Sequence, residues 1–471
     1  MTPLVTAAAM RELDRRATED FGLPAAQLME AAGHALARAA RGAARPLILC
    51  GGGNNGGDGF AAARHLLAAG SGVVVATTSD PGRLPEAAAG HLAALRRARV
   101  TPVPFDPSLL QTADLVIDAL VGVGMRGRLR DPLPAVVEAV NGSGVPVLAA
   151  DVPSGLGSDG PCIRAARTLC LGGTKYDCVV NPDEAGEVSC DPLGIPPAAW
   201  DGLQPRLGLL EGQDVGAWLP SRPRRGHKGT FGTVVVIAGS PEYAGAGLLA
   251  AHAALRSGVG LTFLATSAPG LAGRIPEVIV RPFDENLLRG ADAVAIGPGL
   301  GRGAEAGAVV ASVLGAWRGP LVIDADALNL TRLDALPEGA VITPHPGEAG
   351  RLLGCSAADV QADRIAAVQQ LAARNVAVLK GFRTLIGASA QVWVNPTGND
   401  GMGSGGTGDV LTGLIGGLLA QGAPAAQAAC AGVYLHGLAG DRAAARLGRR
   451  AMAAGDLVDA FPEAFAAVRD A

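Results

Sequence analysis

The 471-residue sequence lacks the features that mark several classes of protein. Its 39 lysines and arginines are nearly balanced by 43 aspartates and glutamates, so the composition provides no broadly basic surface for nucleic acid or an anionic membrane. No apolar run reaches the roughly 18 residues that cross a membrane. Charged residues between positions 11 and 16 interrupt the N-terminal stretch where a signal peptide would be apolar. We therefore expect a cytoplasmic protein without nucleic-acid or membrane partners.

Cysteine is too scarce and too irregularly spaced to form a disulfide framework. The seven cysteines are an odd number and include no Cys-x-x-Cys pair, which is typical of buried thiols in a reducing compartment. The composition is 49% hydrophobic and 17% charged, which indicates a globular chain. The length is sufficient for two or three domains.

Short apolar runs alternate with alanine-rich stretches in both halves of the chain. This alternation predicts α/β domains, with a parallel sheet covered by helices on both faces. In the first half we expect strands at residues 46–50, 73–77, 115–120 and 145–150, helices at 60–69, 86–98 and 133–140, and a loop at 51–59. In the second half we expect strands at residues 233–238, 261–266, 293–296, 321–323, 340–343, 377–380, 384–386 and 392–395, and a helix after Gly408.

A segment rich in proline, glycine and arginine, residues 194–229, separates the two series and is predicted to be the domain junction. We place one domain at residues 1–212 and the other at residues 213–471. The two halves do not align with each other, and no repeat of 20–50 residues is present, which excludes solenoids and propellers.

Residues 51–59 are nine consecutive turn-forming residues between a predicted strand and a predicted helix. The free amides of a helix N-terminus favour phosphate or another anion at such a place, and glycine lets a ligand approach the backbone. The cluster lacks the G-x-G-x-x-G dinucleotide fingerprint. Its Asn-Asn-Gly-Gly-Asp sequence nevertheless puts two amides and a carboxylate at a strand end, where such sheets bind ligands. A tight turn capped by the aspartate is the alternative.

Asp118 and Asp151 each end a predicted strand at the same edge of the sheet. An unpaired buried carboxylate is costly, so each needs a cation, a hydrogen-bond donor or a catalytic role. Loop or helix capping is the alternative for either residue. The oxygen atoms of Asn55, Asp118 and Ser154 are hard ligands, which suit an alkali or alkaline-earth cation better than zinc.

In the second half, a glycine-rich loop at residues 405–408 precedes Asp409 and an apolar helix. The loop brings backbone amides to a helix N-terminus, which suits the oxygens of a phosphate in transfer. Asp409 could then accept a proton from a substrate hydroxyl. The loop is not a Walker motif, and an N-capping role for Asp409 is the alternative. His345, between two prolines, is either a ligand contact or a structural residue.

The motifs of each half are similar to those of a known family. The N-terminal half resembles the NAD(P)H-hydrate epimerase family in its motifs at residues 51–58, 118–120, 122–127, 151–155 and 193–196. The C-terminal half resembles the ADP-dependent NAD(P)H-hydrate dehydratase family, a branch of the ribokinase-like superfamily, in its motifs at residues 227–229, 239–240, 297–301, 324–326, 345–348, 380–381 and 406–409. The resemblance implies a Rossmann-like three-layer α/β/α domain followed by a ribokinase-like α/β/α domain.

The resemblance also implies two sets of site residues, with Asp151 and Asp409 catalytic. In the first site it implies contacts of the hydrated dinucleotide with Asn54, Asn55, Gly56, Gly57, Asp58, Gly122, Val123, Gly124, Met125, Arg126, Gly127, Arg128 and Asp151, and of potassium with Asn55, Asp118 and Ser154. In the second site it implies contacts of the hydrated dinucleotide with Ala246, Gly301, His345 and Asp409, and of ADP or ATP with Lys380, Gly381, Phe382, Arg383, Thr384, Gly405, Gly406, Thr407 and Gly408. Magnesium with the nucleotide and a homo-oligomeric assembly are expected.

The reaction that the resemblance implies suits these residue types. Water added to the nicotinamide ring leaves a hydroxyl at C6, in R and S forms. Phosphorylation of the S hydroxyl by ADP or ATP creates a good leaving group, and elimination of phosphate restores NADH or NADPH, with AMP released when ADP is used. The first domain would interconvert the R and S hydrates. An ordinary ribokinase-like kinase and a nucleotide-binding regulatory protein are the alternatives.

Overall fold

The computed structural model describes residues 1–124, 127–204 and 206–469. Met125 and Arg126, both expected to contact substrate, lie outside the described residues. The chain divides into two compact units, one formed by Pro3–Arg206 and the other by Leu207–Ala471 together with Met1–Thr2. A search of the described helices finds none with the length and apolar character needed to cross a membrane.

The strands and helices alternate through both units. The strands are β1 (Thr2–Val5), β2 (Pro46–Cys50), β3 (Val74–Thr77), β4 (Val103–Pro104), β5 (Leu115–Ala119), β6 (Val147–Ala150), β7 (Arg167–Leu171), β8 (Thr174–Lys175), β9 (Glu187–Asp191), β10 (Arg206–Leu209), β11 (Thr233–Ile237), β12 (Leu261–Ala265), β13 (Val278–Arg281), β14 (Ala293–Ile296), β15 (Leu321–Ile323), β16 (Val341–Ile342), β17 (Val376–Leu379), β18 (Leu385–Ala388) and β19 (Gln391–Val394). The helices are α1 (Ala7–Glu19), α2 (Ala25–Ala39), α3 (Asn54–Ala68), α4 (Glu86–Arg97), α5 (Leu133–Gly142), α6 (Tyr176–Val180), α7 (Pro182–Ala185), α8 (Gly212–Trp218), α9 (Ala244–Arg256), α10 (Ala304–Ala316), α11 (Ala325–Asn329), α12 (Pro346–Leu353), α13 (Ala357–Ala362), α14 (Arg364–Leu371), α15 (Thr407–Ala420), α16 (Ala425–Leu447) and α17 (Ala454–Arg469).

The N-terminal unit is built on a seven-stranded sheet in the order β4-β3-β2-β5-β6-β7-β9, in which every pair of neighbours is parallel. Successive residues of β2 enter two different cores. Ile48 and Cys50 pack with helices α2, α3 and α4, whereas Leu47 and Leu49 pack with α5. Because side chains alternate between the two faces of a strand, this division shows that helices cover both faces of the sheet.

The C-terminal unit contains a second sheet, in which β13-β12-β11-β14-β15-β16-β17 are parallel and β18 and β19 continue antiparallel. Ile386 of β18 packs in the core formed with helices α9, α15, α16 and α17. A Cβ on the next residue, Gly387, would lie 3.0 Å from the Ala372 Cβ, at the end of α14. Helices therefore cover both faces here too, and the predicted α/β class is confirmed for both halves.

The prediction of a loop at residues 51–59 is wrong from residue 54 onward, because helix α3 begins at Asn54 and not at residue 60. The glycines inside this helix have packing roles. A Cβ on Gly57 would lie 2.4 Å from the Met29 sulfur, and one on Gly59 would lie 2.7 Å from the Cys50 sulfur. Close packing of the helix on its neighbours thus outweighs the poor helix propensity of glycine. The helix expected after Gly408 likewise starts slightly earlier, at Thr407.

Replacing Gly413 by alanine is expected to destabilise the C-terminal unit. A Cβ there would lie 1.9 Å from the Ala250 carbonyl oxygen, where helices α9 and α15 cross. Overpacking of this kind costs about 1–3 kcal/mol in the free energy of unfolding, more than the gain of up to about 1 kcal/mol from replacing a helical glycine. Thermal unfolding of the full chain measures the change.

The matched control is Gly307→Ala in helix α10, where nothing lies within 4 Å of the added Cβ. The same substitution should there leave the melting temperature unchanged or raise it. A Gly413→Ala protein as stable as the wild type would contradict the close crossing of α9 and α15.

Candidate active sites

The carboxyl ends of strands β2, β3, β5 and β6 open into a cavity of about 970 Å³ in the N-terminal unit. This volume lies in the range of small-molecule sites. Helix α3 begins at the cavity, and its N-cap, Gly53, provides no side-chain hydrogen bond. The first-turn amides of α3 are therefore available to a ligand.

The cavity collects many of the residues expected to contact substrate. Asn54, Asn55 and Asp58 line it from helix α3. Gly56 and Gly57 are buried, and a Cβ on Gly56 would lie 2.1 Å from the Gly51 carbonyl oxygen, so packing determines the residue at this position. Further lining residues from the expected set are Gly122, Val123, Gly124 and Asp151. Gly127 and Arg128 are exposed, and neither is among the described lining residues.

Asp118 and Ser154 form a buried pair beneath this cavity. The Ser154 hydroxyl donates to the Asp118 Oδ1 at 2.6 Å, and the Ser154 amide donates to Oδ2 at 2.8 Å. Burial raises the pKa of the fully buried Asp118 carboxyl to about 6. Within the described residues, no lysine or arginine forms an ion pair with Asp118. The buried charge therefore lacks a protein cation in this part of the chain.

Asn55 lies close to the same strand ends and is itself 8% exposed. Neither its amide oxygen nor its amide nitrogen has a hydrogen-bond partner. A Cβ on Gly122 would lie 3.5 Å from the Asn55 Cγ and 3.3 Å from the Asp151 Oδ2, so the glycine leaves open the space between these side chains. Buried polar atoms are normally satisfied, so an unpartnered amide here indicates a place for a ligand or an ion.

Asp151 follows strand β6 in a left-handed backbone conformation, with φ at 71°. Its Oδ1 accepts a hydrogen bond from the Leu171 amide at 3.2 Å and forms an ion pair with the Lys175 Nζ. Lys175 is 1% exposed. Burial disfavours the charge of this lysine, but the adjoining Asp151 carboxylate more than compensates and raises the Lys175 pKa. A buried ion pair thus lies at the wall of the cavity.

Two further carboxyl groups line the cavity, Asp14 from helix α1 and Asp58 from helix α3. Asp14 is an exposed residue, but partial loss of solvent contact in the cavity wall and, to a lesser extent, the charge of Asp151 raise the pKa of its carboxyl group to about 6. Burial and the same charge hold the pKa of Asp58 well above its usual range. The cavity therefore combines one paired carboxylate with acids that can hold a proton near neutral pH.

In the C-terminal unit the first element of the site is a second ion pair, between the buried Asp324 and the partly exposed Lys380. Asp324, at the end of strand β15, accepts from the Lys380 Nζ at 2.7 Å and from the Thr412 hydroxyl at 2.6 Å. Glu348 lies 3.9 Å from the same ammonium group. Burial disfavours the charge of Lys380, but Asp324 and Glu348 together raise its pKa. The arrangement fixes an ammonium group at the carboxyl ends of two strands.

Helix α15 begins beside this ammonium group. Its N-cap, Gly406, adopts φ of 95° and provides no side-chain hydrogen bond, which leaves the first-turn amides available. A Cβ on Gly408 would lie 3.6 Å from the Lys380 Nζ. Asp409 lies in the same turn, where burial and then the nearby Asp324 carboxylate raise its pKa to about 6. Free amides, a cation and a carboxyl group meet here, which suits phosphate binding and proton transfer.

Other residues expected at the second site have local contacts. His345 caps helix α12, because its Nδ1 accepts from the Gly347 amide at 3.0 Å and the Glu348 amide at 3.3 Å, and its ring is exposed. The Gly301 amide donates to Asp326 at 2.9 Å. Ala246, in helix α9, lies 2.7 Å from the position of a Cβ on Gly299 and so limits that residue to glycine.

The loop after Lys380 connects strands β17 and β18 and contains four residues expected to bind the nucleotide. Gly381 adopts φ of 141°, and Arg383 adopts φ of 50° while donating to the Pro396 carbonyl. The Thr384 hydroxyl donates to the Gly381 carbonyl at 2.9 Å. Phe382 is 57% exposed. The loop conformation is therefore held by its own contacts, and the Phe382 ring is presented to solvent.

The structure adds functional candidates to which sequence reasoning gave no role: Lys175 and Asp14 in the first site, and Asp324, Glu348 and Thr412 in the second. The sequence contained one feature that indicated the lysines. Lysine is rare in this chain, because only three of the 39 basic residues are lysines, at positions 175, 228 and 380. Two of these three are the ion-pair partners of the buried Asp151 and Asp324. Asp14 carries no comparable signal, because charged residues surround it on helix α1.

Comparison with known proteins supports two activities in one chain. Residues 25–176 match the family described as YjeF-related protein N-terminus, and residues 234–463 match the NAD(P)H-hydrate dehydratase family. Bifunctional NAD(P)H-hydrate repair enzymes of Moorella thermoacetica and Escherichia coli are 39% and 37% identical to this chain. The alignments cover 98% and 95% of this chain and 96% and 91% of those proteins.

Solved structures match the C-terminal unit. A ribokinase-like superfamily protein of Enterococcus faecalis is 32% identical, with a TM-score of 0.53 over 57% of this chain and 98% of its own. The ADP/ATP-dependent NAD(P)H-hydrate dehydratase of Bacillus subtilis, crystallised with ATP and Mg²⁺, is 33% identical, with a TM-score of 0.50 over 55% and 98%. The C-terminal fold is therefore ribokinase-like, and the chain belongs to the family of bifunctional NAD(P)H-hydrate repair enzymes.

Proposed function

We propose that this chain repairs hydrated NADH and NADPH with two activities. The domain at residues 1–212 interconverts the R and S hydrates, and the domain at residues 213–471 uses ADP or ATP to dehydrate the S hydrate. The dehydration activity is supported by the position of Asp409, which lies in the first turn of an uncapped helix beside the Lys380 ammonium group. The first activity is supported by the cavity that Asp151 lines.

The dehydration step follows from the groups around Asp409. Its carboxylate accepts the proton of the C6 hydroxyl, whose oxygen attacks the terminal phosphorus of the nucleotide. The amides at the start of helix α15 and the Lys380 ammonium group stabilise the charge on the phosphoryl oxygens. AMP leaves as the phosphoryl group passes to the C6 oxygen. The C6–O bond then breaks with release of phosphate, and a C5 proton passes to water while its bonding pair forms the C5–C6 double bond that restores the ring.

Magnesium would accompany the nucleotide in this proposal. Among the described residues, no group of three or more histidine, cysteine, aspartate or glutamate side chains is placed to hold a metal ion. This fits a magnesium ion whose ligands are mainly phosphate oxygens and water. When bound, the ion would neutralise charge on the phosphates.

Potassium is our proposal for the Asn55, Asp118 and Ser154 group. The unpartnered Asn55 amide oxygen and the buried Asp118 carboxylate, which lacks a protein cation among the described residues, fit a monovalent cation with oxygen ligands. Bound there, it would offset the buried charge beside the substrate cavity. Homo-oligomeric assembly and a cytoplasmic location stay predictions.

Two substitutions should separate the activities. Asp409→Asn removes the base and is expected to lower dehydration of the S hydrate by about 10²–10⁴-fold. Asp151→Asn should lower conversion of R to S hydrate while dehydration of the S hydrate continues. Purified R and S hydrates with ADP, followed through the absorbance of the reduced nicotinamide and by separation of the epimers, measure both activities.

Each variant acts as the control for the other, because it retains the activity of the unaltered domain. Unchanged dehydration by Asp409→Asn would remove Asp409 from the mechanism. Accumulation of a stable phosphorylated hydrate would instead indicate an ordinary kinase, and nucleotide binding without turnover by the wild type would indicate a regulatory protein.

Dehydration is expected to fall as the solution becomes more acidic than about pH 6. The carboxyl group of Asp409 must be ionised to accept a proton, and its pKa is raised to about 6. The value of kcat/KM, which reports the free enzyme, should therefore rise through pH 6 and level off above it. An acidic limb that persists unchanged in the residual activity of Asp409→Asn would assign the titration to another group.

Potassium should stabilise the N-terminal unit against heat. A ligand that binds only the folded state at 100 times its Kd contributes about 2.7 kcal/mol to the free energy of unfolding. We expect KCl to raise the melting temperature above that in equal NaCl, and Asp118→Ala to abolish the difference. Asp114→Ala, at an exposed aspartate outside the group, is the control substitution. An equal potassium effect in wild type and Asp118→Ala would refute the site.

A further inference from the structure

Asp14 is an ionisable group of the first site to which the assignments above give no role. It lies on helix α1, whose buried side chains Met10, Leu13 and Ala17 anchor the helix on the core. Its carboxyl group lines the cavity that also contains Asp58 and Asp151. In the described part of the chain, no ion pair or side-chain hydrogen bond holds this carboxyl group, in contrast to Asp151 and its partner Lys175.

We propose that Asp14 is a second catalytic acid–base group of the epimerase site and acts together with Asp151 on the C6 hydroxyl of the hydrated nicotinamide. This inference rests on the proposed epimerase function and deepens it. The two carboxyl groups reach one cavity from different elements, Asp14 from helix α1 and Asp151 from the end of strand β6. They can therefore exchange protons at different positions around the C6 carbon of the bound substrate.

The surroundings of the two carboxyl groups differ in the way an acid–base pair requires. Asp151 forms an ion pair with the buried Lys175 ammonium group. Asp14 has no such partner. Although the residue is exposed, partial desolvation in the cavity wall and then the charge of Asp151 raise its pKa to about 6. The Asp14 carboxyl group therefore holds a proton at and below about pH 6.

Other charged groups also face Asp14. On its own helix, Arg11, Arg15 and Glu19 line the cavity, and Arg15 is held by Glu12, Glu19 and Asp20. From other elements the charged groups are Asp58, Asp151, Lys175, Arg130 and Asp131. Lys175 lowers the pKa of Asp14, but partial desolvation and the charge of Asp151 outweigh this effect.

The proposed step conserves atoms and electrons. Protonated Asp14 donates its proton to the C6 hydroxyl, the C6–O bond breaks, and the ring nitrogen N1 supplies its electron pair to form an N1–C6 double bond. The hydroxyl leaves as water. A second water molecule adds to C6 from the other face, the N1–C6 double bond returns its electron pair to N1, and Asp151 takes the proton of that water. Exchange with water in the cavity then returns the proton to Asp14, and the reverse sequence converts S to R.

Both directions require one proton shared between the two carboxyl groups. The kcat/KM of epimerisation for either hydrate should therefore fall about tenfold for each pH unit above about pH 6, as Asp14 loses its proton. In Asp14→Asn the side chain can neither donate nor accept this proton. We expect the rate to fall by about 100-fold or more and the residual activity to lose this pH dependence.

The test measures interconversion of separated R and S hydrates by the full chain between pH 5 and 9, without nucleotide. Asp14→Glu, which retains a carboxyl group, should restore part of the activity and the alkaline fall. Asp20→Asn, at an exposed helix end outside the cavity, is the matched control and should behave as wild type. The potassium-dependent rise in melting temperature verifies folding of the N-terminal unit, and Asp14→Ala replaces Asp14→Asn if the latter does not fold.

The outcomes separate this inference from the function on which it rests. A wild-type chain that does not interconvert the hydrates overturns the epimerase proposal and the role of Asp14 with it. An active wild type with Asp14→Asn equally active, or with the alkaline fall retained in that variant, overturns the role of Asp14 alone. Loss of both rate and pH dependence, with the Asp20→Asn control unaffected, supports it.

Discussion

An ion pair between a lysine and a buried aspartate is the interaction on which both sites depend. Lys175 pairs with Asp151 in one unit and Lys380 with Asp324 in the other, and both lysines end or directly follow a strand. Removing one partner of such a pair costs about 3–5 kcal/mol, because the other charge is left buried and uncompensated. The pairs therefore hold charged groups in fixed positions at the strand ends, which a mobile ion pair on the surface would not do.

The two sites also share an uncapped helix N-terminus, although their folds differ. Gly53 precedes helix α3 and Gly406 precedes helix α15, and neither has a side chain that could occupy the first amides. Helices α1 and α13, in contrast, are capped by the side chains of Thr6 and Ser356. Leaving amides unsatisfied is unfavourable for an isolated helix, but it leaves donors for an anionic ligand such as a phosphate-bearing substrate.

The two sites differ in the charged groups that surround their carboxyl groups. In the C-terminal unit, Lys380 lies between Asp324 and the Asp409 turn, so one fixed cation serves both phosphate binding and the local charge balance. In the N-terminal unit, Lys175 contacts Asp151, and the neighbouring Asp14 and Asp58 have raised pKa values. One arrangement suits transfer of a phosphoryl group, and the other suits exchange of protons without a nucleotide.

The sequence alone was sufficient for the α/β class, most strands, and the glycine and aspartate motifs of both sites, because alternation of apolar runs and turn residues are local properties. Tertiary structure decided the rest. Helix α3 incorporates Asn54–Gly59, against their propensity, because Gly57 and Gly59 pack against Met29 and Cys50. The partners of Asp151 and Asp324 lie 24 and 56 residues away along the chain, so only the fold brings each lysine to its aspartate.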